Sequence, residues 1–140
     1  MALIARFLID TSAGARMGSS LVSGRLAPLI TGGVVATCAT LDAEALYSAR
    51  GPAEYEQIRA DRRVAYEYLP TDDEHWQQAF AAQRELAHTG RHRAVGIADL
   101  LTAVLAGEHR LTLVHYDADF DIASDVLTFD HRWIAGRGTL

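Results

Sequence analysis

The sequence contains no lysine, and all 13 of its basic residues are arginines. This absence excludes mechanisms that need a lysine amine, such as Schiff-base chemistry or a P-loop, whereas arginine offers planar, bidentate donors for phosphate or carboxylate groups. The net charge of −5 does not by itself suggest a nucleic-acid-binding protein. A cluster of metal-binding carboxylates would contribute to such a balance, so the net charge leaves both readings open.

Cysteine and long apolar runs are also scarce. The single cysteine, Cys38, allows neither an internal disulfide nor a cysteine-based zinc site, which suits a reducing cytosol. The longest uncharged stretch, residues 26–41, is too short to span a bilayer. Arg6 and Asp10 interrupt the N-terminal apolar run, so no signal peptide is predicted. We therefore expect a soluble, cytoplasmic protein that makes no contact with a membrane.

The first ten residues, 1–10, organise the predicted fold. The run from Leu3 to Ile9 is almost entirely apolar and ends abruptly at Asp10. Such a run is typical of a strand buried on both faces of a parallel sheet. Thr11 and Ser12 then offer helix-capping groups. At 140 residues the chain has the size of one domain, and we predict a single domain over residues 1–140.

Strand and helix patterns alternate along the rest of the chain. Further strands are predicted at residues 34–39, 68–70, 111–114 and 132–134. Helices are predicted at residues 12–17, 21–30, 41–49 (with Thr40 as the N-cap), 52–66, 71–88, 97–105 and 120–124. This alternation predicts an α/β protein with a parallel sheet and helices on both of its faces.

Four acidic residues share one kind of position in this fold. Asp10 and Asp117 each follow a buried strand, and Asp99 lies in the first turn of the predicted helix at 97–105. Glu44 lies in the first turn or so of the helix after the second strand, with Asp42 on another face of that helix as a less favoured candidate. Right-handed crossovers would bring these elements to one edge of the sheet.

Carboxylates that converge in this way predict a cation site. They cannot all ionise cheaply without a partner, and oxygen ligands favour Mg²⁺ or Mn²⁺. The matching chemistry is phosphodiester hydrolysis, with Asp10, Asp99 and Asp117 holding the metal and Glu44 binding or orienting the attacking water. Taken singly, each acid also fits a helix cap, a turn or a partner of the helix dipole. Four such placements in one short chain favour the site.

Four short motifs resemble the PIN-domain ribonucleases of the VapC toxin type, which belong to bacterial toxin–antitoxin pairs. The likeness covers almost the whole chain and rests on the order and spacing of the motifs. They are FLIDTSA at residues 7–13, DAE at 42–44 with YSAR at 47–50, IADLL at 97–101 and HYDADF at 115–120.

The resemblance implies a sheet of order 3-2-1-4-5, a site for Mg²⁺ or Mn²⁺ and endoribonuclease activity on single-stranded regions of tRNA or rRNA. Asp10, Glu44, Asp99 and Asp117 match the family's acidic positions, and Asp119 matches a position that faces the metal in some members. The resemblance also implies a small antitoxin of the VapB type, which would wrap the toxin and block the pocket, and a homodimer.

Arginines near these motifs are candidates for contacts with the RNA backbone. Arg91 and Arg93 lie in the densest basic patch, just before the Asp99 helix, and Arg50 ends the YSAR motif. The alternative for the patch is a solvated loop at a helix C-terminus, and Arg50 would equally serve to pair with the acids. For His115, a structural or solvent-facing role is favoured over a general base, which a metal site does not need.

Two other functions fit parts of the sequence. Receiver-like signalling domains also place acids at strand ends, but they use a lysine after the last strand, and this chain has none. A catalytically silent PIN-like scaffold that acts only by binding a partner stays open, although the intact acidic set argues against it.

Overall fold

The structure is a computed structural model that describes residues 3–140; Met1 and Ala2, which begin the stretch predicted as the first strand, lie outside the described residues. Within residues 3–140 there are five strands: β1 (Phe7–Ile9), β2 (Val35–Cys38), β3 (Glu67–Leu69), β4 (Thr112–His115) and β5 (Asp130–Trp133). They form one sheet of order β3-β2-β1-β4-β5, and every pair is parallel. The predicted strand order is confirmed.

Seven helices connect the strands in the described part of the chain. They are α1 (Thr11–Gly14), α2 (Ser20–Thr31), α3 (Ala39–Tyr47), α4 (Pro52–Ala65), α5 (Asp73–Ala87), α6 (Ile97–His109) and α7 (Asp119–Ala123). Each corresponds to a predicted helix, with shifts of a few residues at the ends. No helix within residues 3–140 has the length and apolar character needed to cross a membrane.

Strand β1 occupies the centre of the sheet, as the apolar run predicts. Leu8 is fully buried and packs with Leu105 of α6 on one face. Phe7 and Ile9 contact the cluster formed by α1 and α2 on the other face, so helices cover both sides. The strand begins at Phe7, and before it the backbone N–H groups of Ile4 and Ala5 donate to the Glu67 carboxylate of β3.

Helix α3 begins earlier than predicted. Cys38 occupies the N-cap position without a side-chain capping bond, so Thr40 is not the cap. The Thr40 hydroxyl is instead 2.7 Å from the Thr102 hydroxyl on α6. This long-range contact fixes α3 against α6. Because the helix starts at Ala39, Glu44 lies in the second turn of α3 rather than the first.

Helix α6 runs through the core of the molecule. Seven consecutive residues, 100–106, are buried against the sheet and α5. At Gly107 a Cβ would lie 2.5 Å from the Thr128 carbonyl oxygen, so the chain leading into β5 passes directly over this point. The close packing holds α6 rigidly and thereby fixes the position of Asp99 in its first turn.

The N-terminus of α5 is tied to the C-terminus of α6. The Asp72 carboxylate accepts a hydrogen bond from the His75 N–H, and the His75 Nδ1 accepts one from the Asp72 N–H, which completes a capping box. The other ring nitrogen of His75 contacts the Glu108 carboxylate. His75 is buried, so this contact is shielded on the histidine side.

Candidate metal centre

Three acids meet at the carboxyl-terminal edge of the sheet. Carboxylate oxygens of Asp99, Asp117 and Asp119 all lie within 4.8 Å of one another. The fold explains the convergence, because Asp99 begins α6, Asp117 follows β4 and Asp119 begins α7. All three side chains are half-buried. The sequence prediction that Asp99 and Asp117 lie together therefore agrees with the geometry, with Asp119 beside them.

Asp10 supplies a buried carboxylate at the same edge. It follows β1 directly and is only 4% exposed. Its Oδ2 caps α1 by accepting hydrogen bonds from the Ser12 N–H (3.0 Å) and the Ser12 hydroxyl (2.6 Å). Its Oδ1 is buried and has no hydrogen-bond partner within the described residues. A buried carboxylate oxygen without a partner is costly, and a cation is one group that removes this cost.

The pKa values of these acids report their mutual repulsion. Burial raises the pKa of Asp99 to about 7, and the negative charges of Asp10, Glu44, Asp117 and Asp119 add to this effect. Burial also raises the pKa of Asp10, against the two Ser12 hydrogen bonds, with smaller contributions from Glu44 and Asp117. Burial, followed by the charge of Asp117, raises the pKa of Asp119. Glu44 therefore lies close enough for its charge to act on Asp10 and Asp99, although it is outside the group of three acids within 4.8 Å.

A divalent cation fits this donor set. Within residues 3–140 the structure contains no ion pair between any of the five acids and an arginine or histidine. The donors are carboxylate oxygens, which are hard ligands that suit Mg²⁺ or Mn²⁺. Repulsion among the acids, together with the free Asp10 Oδ1, makes the centre suitable for a positive ion.

Asp42 lies outside this centre, although it is only two residues from Glu44. Its Oδ1 is 2.8 Å from the Arg62 Nε and accepts a hydrogen bond of 2.7 Å from the Thr37 hydroxyl. The Arg62 guanidinium also donates to the Thr37 hydroxyl and lies over the Tyr66 ring. Asp42 therefore stabilises the contact between α3 and α4, which matches its lower rank in the sequence analysis.

The three predicted RNA-binding arginines lie on the surface, and within the described residues none of them pairs with the five acids of the metal centre. Arg50 forms an exposed pair with Glu54 (3.0 Å), and Arg91 forms one with Asp125 (2.9 Å). The Arg93 side chain is exposed. Exposed pairs of this kind contribute little stability and exchange readily for other anions. Their contact with RNA stays a prediction.

The loop from His115 to Asp119 is held by a series of side-chain bonds that the sequence analysis did not foresee. The Tyr116 N–H donates to the Ser12 hydroxyl (2.8 Å), which in turn binds Asp10. The Asp117 N–H donates to the His115 Nδ1 (3.2 Å), and the Asp119 N–H donates to the Asp117 Oδ1 (2.9 Å). The Ser12 contact spans 104 residues, so no local pattern predicts it. The loop therefore presents Asp117 in a defined position.

His115 is fully buried, which agrees with the structural role favoured for it. Its ring packs against Phe120 and against the edge of Trp133. Burial, together with the neighbouring His131, lowers its pKa to about 4. The side chain has no route to solvent as a general base, but it is in direct contact with the backbone of Asp117.

Comparison with known proteins agrees with this architecture. The PIN domain family matches residues 7–133 of the chain. The chain is similar to Ribonuclease VapC21 of Mycobacterium tuberculosis, with 36% identity over 134 residues that cover 96% of this chain and 97% of that protein. It is also similar to Ribonuclease VapC51 of the same organism, with 34% identity over 135 residues, 96% of this chain and 97% of that protein.

Solved structures of toxin–antitoxin complexes share the fold. DNA-bound VapBC from Salmonella typhimurium superimposes with a TM-score of 0.71 at 18% identity, covering 94% of this chain and 99% of that chain. VapBC-5 from Mycobacterium tuberculosis gives a TM-score of 0.60 at 24% identity, covering 91% and 97%. At these identities the structural likeness establishes the fold alone.

Proposed function

The chain belongs to the PIN domain family, and from that premise we propose that it is a divalent-metal-dependent endoribonuclease acting as the toxin of a toxin–antitoxin pair. The observation that carries the proposal is the buried acidic centre, in which Asp10, Asp99 and Asp117 have no cationic partner within the described residues. Relatives named as ribonucleases, which match nearly the whole chain, support the choice of RNA as the substrate.

Five carboxylates form the proposed metal site. Asp10, Asp99 and Asp117 hold the ion, and Asp119 is close enough to share in this role. Glu44 lies on α3, near enough for its charge to act on Asp99, and in this proposal it either binds the ion or orients water beside it. We propose Mg²⁺ or Mn²⁺ as the resident ion, because all the donors are carboxylate oxygens.

The mechanism follows from where the side chains lie. When bound, the divalent cation supplies positive charge that offsets the charge of the scissile phosphate and favours ionisation of the attacking water. The buried Asp10 and the half-buried Asp99 form the floor of the centre, where low solvent exposure strengthens their attraction for positive charge. Glu44 accepts a hydrogen bond from the water and orients it toward phosphorus. The loop bonds of Asp117 keep that carboxylate in place through the reaction.

Arginines on the surface would guide the RNA to this acidic floor. We propose that Arg91 and Arg93 contact phosphates before the Asp99 helix and that Arg50 does so beyond α3. The exposed pairs of Arg50 and Arg91 can open to accept a phosphate instead of a carboxylate. The proposed target is tRNA or rRNA, so that cleavage arrests translation and growth.

A small antitoxin is the proposed protein partner. The structural neighbours are complexes of VapC with VapB proteins, which supports an antitoxin of the VapB type for this chain. Homodimerisation and action in the cytoplasm, where the RNA substrate occurs, are further parts of the proposal. So is the assignment of residues 1–140 to one PIN domain.

Asp10→Asn tests the nuclease directly. Asparagine keeps an oxygen that caps α1 but removes the negative charge, so the fold is retained while the cation site is weakened. Cellular RNA ends would be mapped after brief expression, and cleavage of the mapped RNA would be measured with Mn²⁺. We expect Asp10→Asn to lower cleavage at least ~100-fold.

Asp42→Asn is the matched control, because Asp42 is an acid beside the site that binds Arg62 instead. It should cleave at close to the wild-type rate. Folded wild-type protein that binds Mn²⁺ but cleaves no cellular RNA would overturn the nuclease assignment and leave the silent scaffold. Full cleavage by folded Asp10→Asn would show that Asp10 is not part of the metal site.

A further inference from the structure

A pair of histidines lies behind the metal centre, outside the set of acids. His115 ends β4, and His131 lies on β5, the outer strand of the sheet. The His115 Nε2 is 2.9 Å from the His131 Nδ1, and the two ring planes differ by only 28°. The rings therefore meet nearly edge to edge, which is the geometry of a hydrogen bond between them.

The direction of this hydrogen bond follows from the other side of the His115 ring. Its Nδ1 accepts the backbone N–H of Asp117, so Nδ1 carries a lone pair and no proton. A neutral imidazole then has its proton on Nε2, and this N–H donates to the His131 Nδ1. His131 in turn carries its own proton on Nε2. The chain of bonds runs from the Asp117 backbone through His115 to His131.

Within residues 3–140, His131 is the only hydrogen-bond partner of the His115 Nε2, although the Asp121 carboxylate lies within 4.8 Å of both rings. The ring is fully buried between Phe120 and Trp133, neither of which offers an acceptor there. His131 is itself fixed by its position on β5 and by contact with the Phe129 ring. Loss of the His131 acceptor would leave a buried donor unpaired, and that favours the other His115 tautomer, which repels the Asp117 N–H.

We propose that His131 is a positioning residue for the metal centre: its Nδ1 holds His115 in the tautomer that accepts the Asp117 backbone N–H and so fixes the Asp117 carboxylate. The inference rests on the proposed function, since it concerns the same site. It adds a residue from the outermost strand, 14 positions beyond Asp117, to the machinery that shapes the cation site.

The same side chains are also compatible with a second metal site, which is the alternative to the hydrogen-bonded relay. His115, Asp121 and His131 each offer one possible ligand atom, and these three atoms lie within 4.8 Å of one another. Two imidazoles with a carboxylate suit zinc. Metal binding at the His115 Nε2 would, however, require the proton on Nδ1, where the Asp117 N–H points. The geometry therefore favours the hydrogen-bonded relay over the metal.

Two substitutions at position 131 separate the relay from simple packing. His131→Phe keeps a planar ring against Phe129 and His115 but removes the acceptor. His131→Asn loses most of the ring but restores an acceptor oxygen near the position of Nδ1. Mn²⁺ affinity would be measured by calorimetry, and the His115 tautomer by imidazole nitrogen chemical shifts. We expect His131→Phe to weaken Mn²⁺ binding about 10-fold, with His131→Asn near the wild-type affinity.

The outcomes distinguish this proposal from the proposed function. If the wild type binds Mn²⁺ and His131→Phe binds it equally well, the relay is overturned while the nuclease stands. If the folded wild type binds no Mn²⁺, the proposed metal centre fails and the positioning role fails with it. Zn²⁺ binding that disappears in Asp121→Asn would replace the relay with the second metal site. A packing role alone is shown if His131→Asn is the weaker binder of the two variants.

Discussion

The two ends of helix α6 each carry a carboxylate, and the two carboxylates lie in opposite electrostatic surroundings. At its start, burial raises the pKa of Asp99 to about 7 with the like charges around it adding to the effect, and the N-cap Gly96 offers no side-chain bond. Near its end, Glu108 contacts the buried His75 ring and lies 3.4 Å from His109. The charged groups that act on the pKa of Asp99 are all negative, whereas Glu108 contacts imidazole rings on two sides.

This contrast indicates which part of the helix serves stability and which serves chemistry. The C-terminal contacts lock α6 to α5, and the buried middle of the helix packs in the core. That rigidity lets the first turn hold Asp99 in a position that repulsion would otherwise disfavour. A destabilised group on a rigid element is expected at a functional site, because a cation bound there would turn repulsion into attraction.

The largest effect is expected when each carboxylate is made neutral in turn. Asp99→Asn should lower RNA cleavage at least ~100-fold, because Asp99 is a proposed metal ligand. Glu108→Gln on the same helix should cleave RNA at close to the wild-type rate but unfold at a lower temperature. Cleavage assays with Mn²⁺ and thermal melts without metal would measure both variants. Equal activity losses in the two variants would remove the distinction between the two ends.

A smaller effect, on stability alone, is expected at the paired end. His75→Ala removes the acceptor for the Asp72 N–H and the contact with Glu108, which should cost about 2–3 kcal/mol in the free energy of unfolding. Urea denaturation would measure it, with the exposed His88→Ala at the far end of α5 as the control. Mn²⁺ affinity should not change in either variant. A change in affinity with His75→Ala would show that the two ends are coupled.

The remaining effect is a dependence of stability on pH. The Asp99 carboxyl has a pKa of about 7 when folded, against an ordinary value of 3.8, so the folded chain binds its proton more tightly. Stability from this group is therefore complete below about pH 4 and is lost as the pH rises to about 7. His115, whose pKa is lowered to about 4, acts in the opposite direction over part of this range.

A comparison of the wild type with Asp99→Asn separates the contribution of the Asp99 carboxyl from that of His115. Metal-free wild type and Asp99→Asn share His115, so the difference between their melting temperatures reports Asp99. Relative to the variant, the wild type should lose stability as the pH rises toward about 7, and Mn²⁺ should restore it. A difference that is constant with pH would show that Asp99 has an ordinary pKa and no crowded neighbours.

The sequence alone predicted the elements of the fold because their signals are local. The apolar run before Asp10, the Asp72 capping group and the helical spacing after Ile97 each lie within one element. Errors arose at element boundaries, where residues also make contacts with distant parts of the chain. Glu67 binds the N–H groups before β1, and Thr102 binds Thr40, and neither contact has a local signal.

The same division applies to the site. The placement of the acids at strand ends and helix starts was enough to predict that Asp99 and Asp117 lie together, and the family resemblance added Asp119. The unpartnered Asp10 Oδ1 and the Ser12 bond to the Tyr116 N–H were not predictable, because they depend on the packing of α1 against the loop after β4. Nor was the contact between His115 and His131, which needs the pairing of β4 with β5.

The assembly of the acidic centre from distant segments has a consequence during translation. Its proposed members are residues 10, 44, 99, 117 and 119. Only a segment that includes residues 10 to 119 contains all five. A nascent polypeptide therefore carries no ion-binding cavity until synthesis has passed residue 119 and the emerging segment has folded. A ribosome that makes this chain is not exposed to the proposed catalytic centre for most of the time that elongation takes.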